Sequence, residues 1–241
     1  QPRSRGLGDV YKRQGLMRIA DAATLVADID LARTIEQYRP HLRFAGIHAF
    51  RGSAQHMRQP QERAAAVTSA VEKVRGIIEE LQAAGYTCNT ITGGGTGTYM
   101  LEASSSLYTE VQPGSYVLMD TDYAANTPEP GSPQLRHALF GLCTVISVQD
   151  THAVLDGGLK AFAVDHGLPR LQLPGWSVQT LSDEHTVIVP EAGAQPVHVG
   201  DKVRLIPGHC DPTVNLHDWL IAYRGQTVQE AWPVSARGAL F

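Results

Sequence analysis

The spacing of apolar residues in the N-terminal half of the chain alternates between helical and strand-like periods. A first stripe at helical spacing predicts an amphipathic helix that has Asp21 as its N-cap and ends at Pro40. Its apolar members are Leu25, Ile29, Ala32 and Ile35. The apolar run at residues 43–50 (RFAGIHAF) is short and continuous, which is typical of a buried strand.

A longer amphipathic stretch and a second strand follow. The helix is predicted to begin near Pro60 and to end at Gly85, a suitable C-cap residue. Its apolar face consists of Val67, Val71, Val74, Ile78 and Leu81. Residues 87–92 (TCNTIT) indicate the second strand, so these elements predict a βαβ unit with parallel strands. We therefore expect part of an α/β barrel, or of an open α/β sheet, over residues 15–130.

The pattern changes beyond residues 126–133 (NTPEPGSP), which have the composition of a loop or linker. Short β-rich runs then alternate with turns. The runs are FGLCTVISVQ, HAVLD, KAFAV, TVIVP, KVRLIP and DWLIAYRGQTVQEAWPV, the last with a hairpin predicted around Arg224-Gly225. We expect a mostly antiparallel β domain over residues 131–241.

Composition and charge narrow the class of protein. With 241 residues, 43% hydrophobic and 18% charged, the chain has the make-up of an ordinary globular protein of one or two domains. It has no apolar run long enough for a transmembrane helix. Its formal charge of −4 gives no basic surface for nucleic acid. Three widely spaced cysteines (Cys88, Cys143 and Cys210) argue against a disulfide framework and favour a reducing cytoplasm.

Residues 4–14 (SRGLGDVYKRQ) resemble the translation of a transposon-type DNA-sequencing adapter. The end of that adapter encodes Asp-Val-Tyr-Lys-Arg-Gln, as found at residues 9–14. The alternative is a basic, flexible natural N-terminus. We treat residues 1–14 as non-native, and we expect that natural sequence before Gly15 is missing.

A glycine-rich segment, residues 93–98 (GGGTGT), directly follows the second predicted strand. Glycines let successive backbone N–H groups point at one anion, and threonine hydroxyls add donors. The segment lacks the spacing of a dinucleotide fingerprint and the lysine of a Walker A loop. A phosphate site at the C-terminal end of a barrel strand and a flexible glycine turn both fit this pattern.

The segment PGHCDPTVN, residues 207–215, carries three adjacent metal-ligand types. In an extended segment, His209 and Asp211 would face one side and Cys210 the other. Imidazole with carboxylate suits manganese, zinc or similar ions, whereas histidine with cysteine favours zinc. The alternative is a polar loop that closes a strand, with Cys210 buried. Asp120 and Tyr123 end another predicted strand and are either pocket residues or packing groups.

Together these segments resemble the D-threonine aldolase and D-serine dehydratase family of pyridoxal-phosphate enzymes, which share an alanine-racemase-like fold. The matching segments, in the family's order, are FRGSAQH (50–56), TGGGTGTY (92–99), VQPGSYVLMDTDY (111–123), LDGGLKAF (155–162), SDEH (182–185) and PGHCDPTVNLHDW (207–219). The resemblance implies the C-terminal part of a (β/α)8 barrel that binds pyridoxal 5'-phosphate. It also implies a following β domain that supplies a divalent metal, such as manganese or zinc.

The resemblance also implies roles for single residues. Those assigned to the cofactor phosphate are Gly94, Gly95, Thr96 and Gly97, and Gln55 and Tyr123 are further predicted cofactor contacts. His209 and Asp211 are assigned to the metal. The dehydratase branch has a cysteine two residues after the histidine, so Asp211 favours the aldolase branch. The family's Schiff-base lysine lies in a motif like R-P-H-x-K-T-H, but residues 39–41 (RPH) are followed by no such lysine. This chain is therefore expected to be inactive.

The implied reaction is the retro-aldol cleavage of D-threonine, or of a related D-3-hydroxy amino acid, to glycine and an aldehyde. The alternatives are a dehydratase acting on D-serine or 3-hydroxy-D-aspartate, and an inert fragment that keeps only phosphate binding. We expect a small D-amino acid as the partner, without nucleic acid or membrane. A homodimer is expected by analogy with related folds.

Overall fold

A computed structural model of the protein describes residues 16–18 and 25–239. The adapter-like residues 4–14 and the predicted N-cap Asp21 lie outside the described residues. The described chain forms two compact units. The first contains residues up to Gly114 together with 126–133, and the second contains residues 115–125 and those from Gln134 onward.

The first unit has a parallel sheet with helices between successive strands. The strands are β1 (Leu16–Arg18), β2 (Gly46–His48), β3 (Thr90–Gly93) and β4 (Glu110–Val111), which pair in that order. The intervening helices are α1 (Leu25–Gln37), α2 (Pro60–Ala83) and α3 (Tyr99–Ser104). All three strand pairs are parallel, which confirms the predicted βαβ unit.

Helix α2 supplies much of the core of the first unit. Pro60 occupies its first turn, and Gly85 follows its end with a φ of +88°, a conformation that glycine adopts without strain. The buried core residues on or around the helix include Val74, Ile77, Ile78 and Leu81, packed with Ile47 and Ile91 of the sheet. Each such side chain, when fully buried, stabilises the fold by about 1.5–3 kcal/mol. The predicted apolar face is thus the core face, although Val71 is only half-buried.

The second unit has a six-stranded antiparallel sheet in the order β7-β10-β5-β6-β9-β8. The strands are β5 (Gly141–Val148), β6 (Ala153–Leu155), β7 (Arg170–Leu171), β8 (Trp176–Leu181), β9 (Thr186–Pro190) and β10 (Lys202–Ile206). The edge strands β7 and β8 contact each other, so the sheet is nearly closed. The prediction of antiparallel strands is confirmed, and strands β7 and β8 were not predicted.

One predicted strand is wrong. Residues 160–164 (KAFAV) form a turn, in which the N–H groups of Ala161 and Phe162 donate to Gly158 O at 2.9 and 3.0 Å. The Phe162 ring is buried against Gly141, where an added Cβ would lie 2.1 Å from the ring. The apolar residues of this run are therefore explained by one buried aromatic ring rather than by strand pairing.

A separate hairpin lies near the end of the described chain. Strands β11 (Trp219–Arg224) and β12 (Thr227–Pro233) pair antiparallel, and Gly225 at the turn has a φ of +61°. This confirms the predicted hairpin. Among the described residues, no helix is both long and apolar enough to cross a membrane.

Candidate functional site

The loop after β3 is buried, and three of its glycines occupy places where a side chain does not fit. Gly94 has a φ of +74°, and an added Cβ there would lie 3.0 Å from the Glu102 carboxyl group. An added Cβ at Gly95 would lie 2.6 Å from Gln55 Oε1, and one at Gly97 would lie 2.1 Å from the Gln55 carbonyl oxygen. These glycines are required because Gln55 and Glu102 pack directly against the loop.

Gln55 connects this loop to helix α3 through a chain of hydrogen bonds. The Gly97 N–H donates to Gln55 Oε1 at 3.0 Å, and Gln55 Nε2 donates to Thr98 Oγ1 at 2.7 Å. The Thr98 hydroxyl then donates to Glu102 Oε1 at 2.9 Å. Because each amide or hydroxyl proton is donated toward Glu102, this series of hydrogen bonds fixes the orientation of the Gln55 amide.

Glu102 ends this chain as a buried carboxyl group. Its exposure is 1%, and Oε2 has no hydrogen-bond partner in the part of the chain that the structure describes. Burial raises the pKa of Glu102 to about 7, against an opposing effect of the hydrogen bond from Thr98. The side chain therefore changes its charge near neutral pH.

The buried loop leaves backbone donors unused. Within the described residues, the N–H groups of Gly94 and Gly95 donate to no other atom, whereas the Gly97 N–H is taken by Gln55. Buried N–H groups without a partner are costly, so a ligand that accepts from them is favoured. The donors at Gly94 and Gly95 therefore fit a phosphate oxygen. The Gly97 N–H and the Gln55 side chain instead shape the loop.

The segment that carries Gln55 is held in place from residues 126–129. Asn126 Nδ2 donates to the Gln55 carbonyl oxygen at 2.8 Å. Arg63, which is 1% exposed, donates to Glu129 Oε1 at 2.7 Å and to Met57 O at 2.6 Å. The segment below the glycine loop is thus held by a buried arginine and by a side-chain amide.

In the second unit, the predicted metal ligands lie at the junction of a strand and a short helix. His209 follows β10 in an extended conformation (φ −142°, ψ 122°) and is the N-cap of helix α5 (Cys210–Asn215). The expectation of a fully extended segment is therefore wrong from Cys210 onward. The two predicted ligands nevertheless converge, with 3.9 Å between His209 Nε2 and Asp211 Oδ2. The first turn of the helix brings them together.

Cys210 is a packing residue. Its exposure is 0%, and its Sγ donates to Asp211 Oδ1 at 3.3 Å. Burial, reinforced by the carboxylates of Asp211 and Asp120, raises the pKa of the Cys210 thiol far above its usual range. The thiol therefore stays protonated, and the expectation that Cys210 is buried is confirmed.

Asp120 anchors the segment that carries His209 and Asp211. Its carboxylate is completely buried and caps helix α4 (Thr121–Ala124) by accepting from the Tyr123 N–H at 2.9 Å. Its other oxygen accepts from the Cys210 N–H at 3.0 Å. One side chain thus satisfies the first turns of two short helices, a role that the sequence pattern did not reveal.

His209 also contacts two residues that the sequence pattern did not single out, Asp165 and His166. His209 Nδ1 lies 2.7 Å from Asp165 Oδ2, and the His166 ring stacks on the His209 ring at 4.3 Å. His166 Nδ1 lies 2.8 Å from Asp122 Oδ2. Ligand atoms of Asp165, His166 and His209 all lie within 4.8 Å of one another. Although desolvation opposes it, the contact with His209 lowers the pKa of Asp165.

Tyr123, predicted as a cofactor contact, lies in the second unit and is half-buried. Burial raises the pKa of its phenol to about 12, and the carboxylates of Asp120, Asp211 and Asp122 add to the effect. Tyr123 is therefore a neutral hydrogen-bond donor near pH 7. The predicted residues Gly94–Gly97 and Gln55 come together in the first unit, and His209 and Asp211 come together in the second.

The sequence of this chain is similar to a known family model and to named aldolases. The model of a family described as "Putative serine dehydratase domain" matches residues 138–223. The chain is 40% identical to the D-threonine aldolase of Arthrobacter sp over 96% of its own length and 60% of that protein. It is 42% identical to the 3-hydroxy-D-aspartate aldolase of Paracoccus denitrificans (strain Pd 1222), over 83% of its own length and 52% of the relative. The chain therefore spans between about half and two thirds of these relatives.

The chain also resembles solved structures. The D-threonine aldolase of Filomicrobium marinum superimposes with a TM-score of 0.87 at 38% identity, covering 94% of this chain and 64% of that one. An alanine racemase of Clostridium difficile 630 superimposes with a TM-score of 0.51 at 12% identity, covering 94% and 74%. The second likeness concerns the fold alone.

Proposed function

Because this chain belongs to the D-threonine aldolase and D-serine dehydratase family, we propose that the natural protein containing it cleaves D-threonine or a related D-3-hydroxy amino acid. The products are glycine and an aldehyde. The observation that carries the proposal is the pairing of His209 with Asp211, since the aspartate stands where the dehydratase branch has cysteine. The similarity to proteins named D-threonine aldolase and 3-hydroxy-D-aspartate aldolase supports it.

The proposal includes the architecture of the first unit as the C-terminal part of a (β/α)8 barrel. Its support is the run of four parallel strands with a helix in each crossover. The glycine loop leaves the carboxyl end of β3, which is the end of a barrel strand where such enzymes bind ligands.

The glycine loop fits the phosphate group of pyridoxal 5'-phosphate. The N–H groups of Gly94 and Gly95 and the hydroxyl of Thr96 would hold the phosphate oxygens, on a loop whose shape Gln55 maintains. When bound, pyridoxal phosphate supplies an electron sink for the carbanion formed at the substrate Cα. The loop's contribution is to anchor the phosphate in one position.

The pair of His209 and Asp211 fits a divalent ion such as manganese or zinc, because it combines imidazole and carboxylate donors and leaves other positions open. When bound, such an ion supplies a Lewis acid that polarises the substrate hydroxyl. The chain's own contribution is to hold both donors on one helical turn, which Asp120 anchors through the Cys210 N–H.

The test measures products formed by the complete natural protein supplied with pyridoxal phosphate and Mn²⁺. We expect glycine and acetaldehyde from D-threonine, little from L-threonine, and loss of product in the variant Asp211→Ala. A matched control is Asp201→Ala, which removes an exposed carboxylate that also lies beside a histidine, His198. No glycine from any D-3-hydroxy amino acid, with the protein folded, contradicts the proposal.

A dehydratase is the second candidate, favoured by the family described as a putative serine dehydratase domain. The two activities differ in their products, since a dehydratase releases ammonia and a 2-oxo acid. Pyruvate from D-serine, or oxaloacetate from 3-hydroxy-D-aspartate, without glycine, assigns the protein to that branch.

A further inference from the structure

The two ring nitrogens of His209 face two different carboxylates. Nδ1 lies 2.7 Å from Asp165 Oδ2, and Nε2 lies 3.9 Å from Asp211 Oδ2. An ionised carboxylate only accepts hydrogen bonds, so the short contact to Asp165 requires a proton on Nδ1. A neutral imidazole carries one such proton, which leaves the lone pair on Nε2.

A close approach of two backbone segments brings His209 to Asp165. Gly208 precedes His209, and an added Cβ there would lie 2.1 Å from the Gly167 carbonyl oxygen. This close approach of two backbone segments places His209 beside Asp165. The ring of His166 then stacks on that of His209 at an interplanar angle of 28°, and His166 is itself held by Asp122.

We infer that Asp165 is a positioning residue, which accepts the Nδ1 proton of His209 and thereby directs the Nε2 lone pair toward the ion shared with Asp211. The effect on metal affinity rests on the proposed function, whereas the choice of tautomer does not. Carboxylates that orient a metal-binding histidine typically change metal affinity by about 10- to 100-fold when removed.

The competing arrangement places the ion among Asp165, His166 and His209, whose ligand atoms lie within 4.8 Å of one another. The distances favour our assignment. Metal bonds of about 2.0–2.2 Å set two ligand atoms of one ion roughly 3 Å or more apart. The 2.7 Å contact with Asp165 therefore suits a hydrogen bond, whereas the 3.9 Å separation from Asp211 has room for an ion.

The first measurement is the tautomer of His209 in the full chain without metal, from the nitrogen shifts of ¹⁵N-labelled histidine. The signal is assigned by its loss in His209→Gln. We expect the Nδ1–H tautomer in the wild type, a shift toward the Nε2–H tautomer in Asp165→Ala, and partial retention in Asp165→Asn, whose amide oxygen still accepts. An Nε2–H tautomer in the wild type, or no change in Asp165→Ala, overturns the inference.

The second measurement is Mn²⁺ affinity, from the electron paramagnetic resonance signal of free Mn²⁺. Asp165→Ala should weaken binding about 10- to 100-fold, Asp165→Glu should restore part of it, and Asp211→Ala should abolish it. Asp201→Ala is the matched control and should leave the affinity unchanged. Complete loss in Asp165→Ala identifies Asp165 as a ligand instead, which overturns the positioning role.

These measurements separate the two proposals. If the wild-type chain binds no Mn²⁺, the proposed metal site fails, and the tautomer still decides the role of Asp165. Asp165 is half exposed, so its variants should keep the wild-type thermal midpoint and circular dichroism spectrum.

Discussion

The Asp120 carboxylate accepts a hydrogen bond from the Cys210 backbone N–H at 3.0 Å, although the two residues are 90 positions apart in the chain. The same carboxylate caps the helix that begins at Thr121. A fully buried charge is tolerated here because backbone donors of two helices satisfy it. Asp120 therefore fixes the positions of His209 and Asp211 through the backbone, without itself being one of the predicted metal ligands.

Asp120→Ala should destabilise the second unit by about 2–4 kcal/mol, because it removes two hydrogen bonds to a charged acceptor and leaves two N–H groups unsatisfied. The measurement is urea unfolding followed by the near-ultraviolet signal. Asp120→Asn keeps an amide oxygen as acceptor and should lose less. An unchanged unfolding midpoint in Asp120→Ala contradicts the anchoring role.

Gly97→Ala should destabilise the first unit by about 1–3 kcal/mol, because the new Cβ would lie 2.1 Å from the backbone oxygen of Gln55. Gly114→Ala is the matched control, since an added Cβ there meets nothing within 4 Å. Thermal unfolding of both variants checks the difference. Equal midpoints for the two variants contradict the close packing of the loop on Gln55.

Gln55→Ala should weaken the affinity for pyridoxal phosphate by about 5- to 30-fold, which corresponds to about 1–2 kcal/mol for the lost support of the loop. The reason is that the Gly97 N–H and the Thr98 hydroxyl both lose their link to Gln55. Isothermal titration calorimetry measures the affinity, and the exposed Gln149→Ala serves as the control. Unaltered binding shows that the loop keeps its shape without Gln55.

Glu102 should make stability fall as the pH rises from 4.5 to about 7. Its folded pKa is raised from 4.5 to about 7, so the folded state holds the proton more tightly than the unfolded state. The resulting stabilisation is complete below the unfolded value and is lost as the pH passes the folded one. The loss is about 3 kcal/mol at most.

The comparison of wild type with Glu102→Gln isolates this effect from that of the histidines. The difference in unfolding free energy between the two proteins, measured by urea unfolding from pH 4.5 to 8, should keep changing through pH 7 and level off only near pH 8. A constant difference shows that Glu102 does not titrate in this range.

Local patterns were sufficient for much of the fold. Helical periodicity located α2, because one face of this helix packs in the core. Two β-rich runs joined at Gly225 located the terminal hairpin, because a tight turn favours glycine there. The strand predicted at residues 160–164 was wrong, because the burial of a single ring, Phe162, accounts for the apolar character of this run. The extended path expected for residues 209–211 was also wrong, since sequence spacing does not show where a helix starts.

By itself, the sequence predicted the parallel unit with its glycine loop, most strands of the antiparallel unit, and the closeness of His209 and Asp211, because these depend on residue type and spacing along the chain. The tertiary structure alone decided the roles of Asp120, Asp165 and Gln55. Each of them acts on a residue more than forty positions away, Cys210, His209 and Gly97 respectively. Such contacts arise from the packing of distant segments, and no local periodicity encodes them.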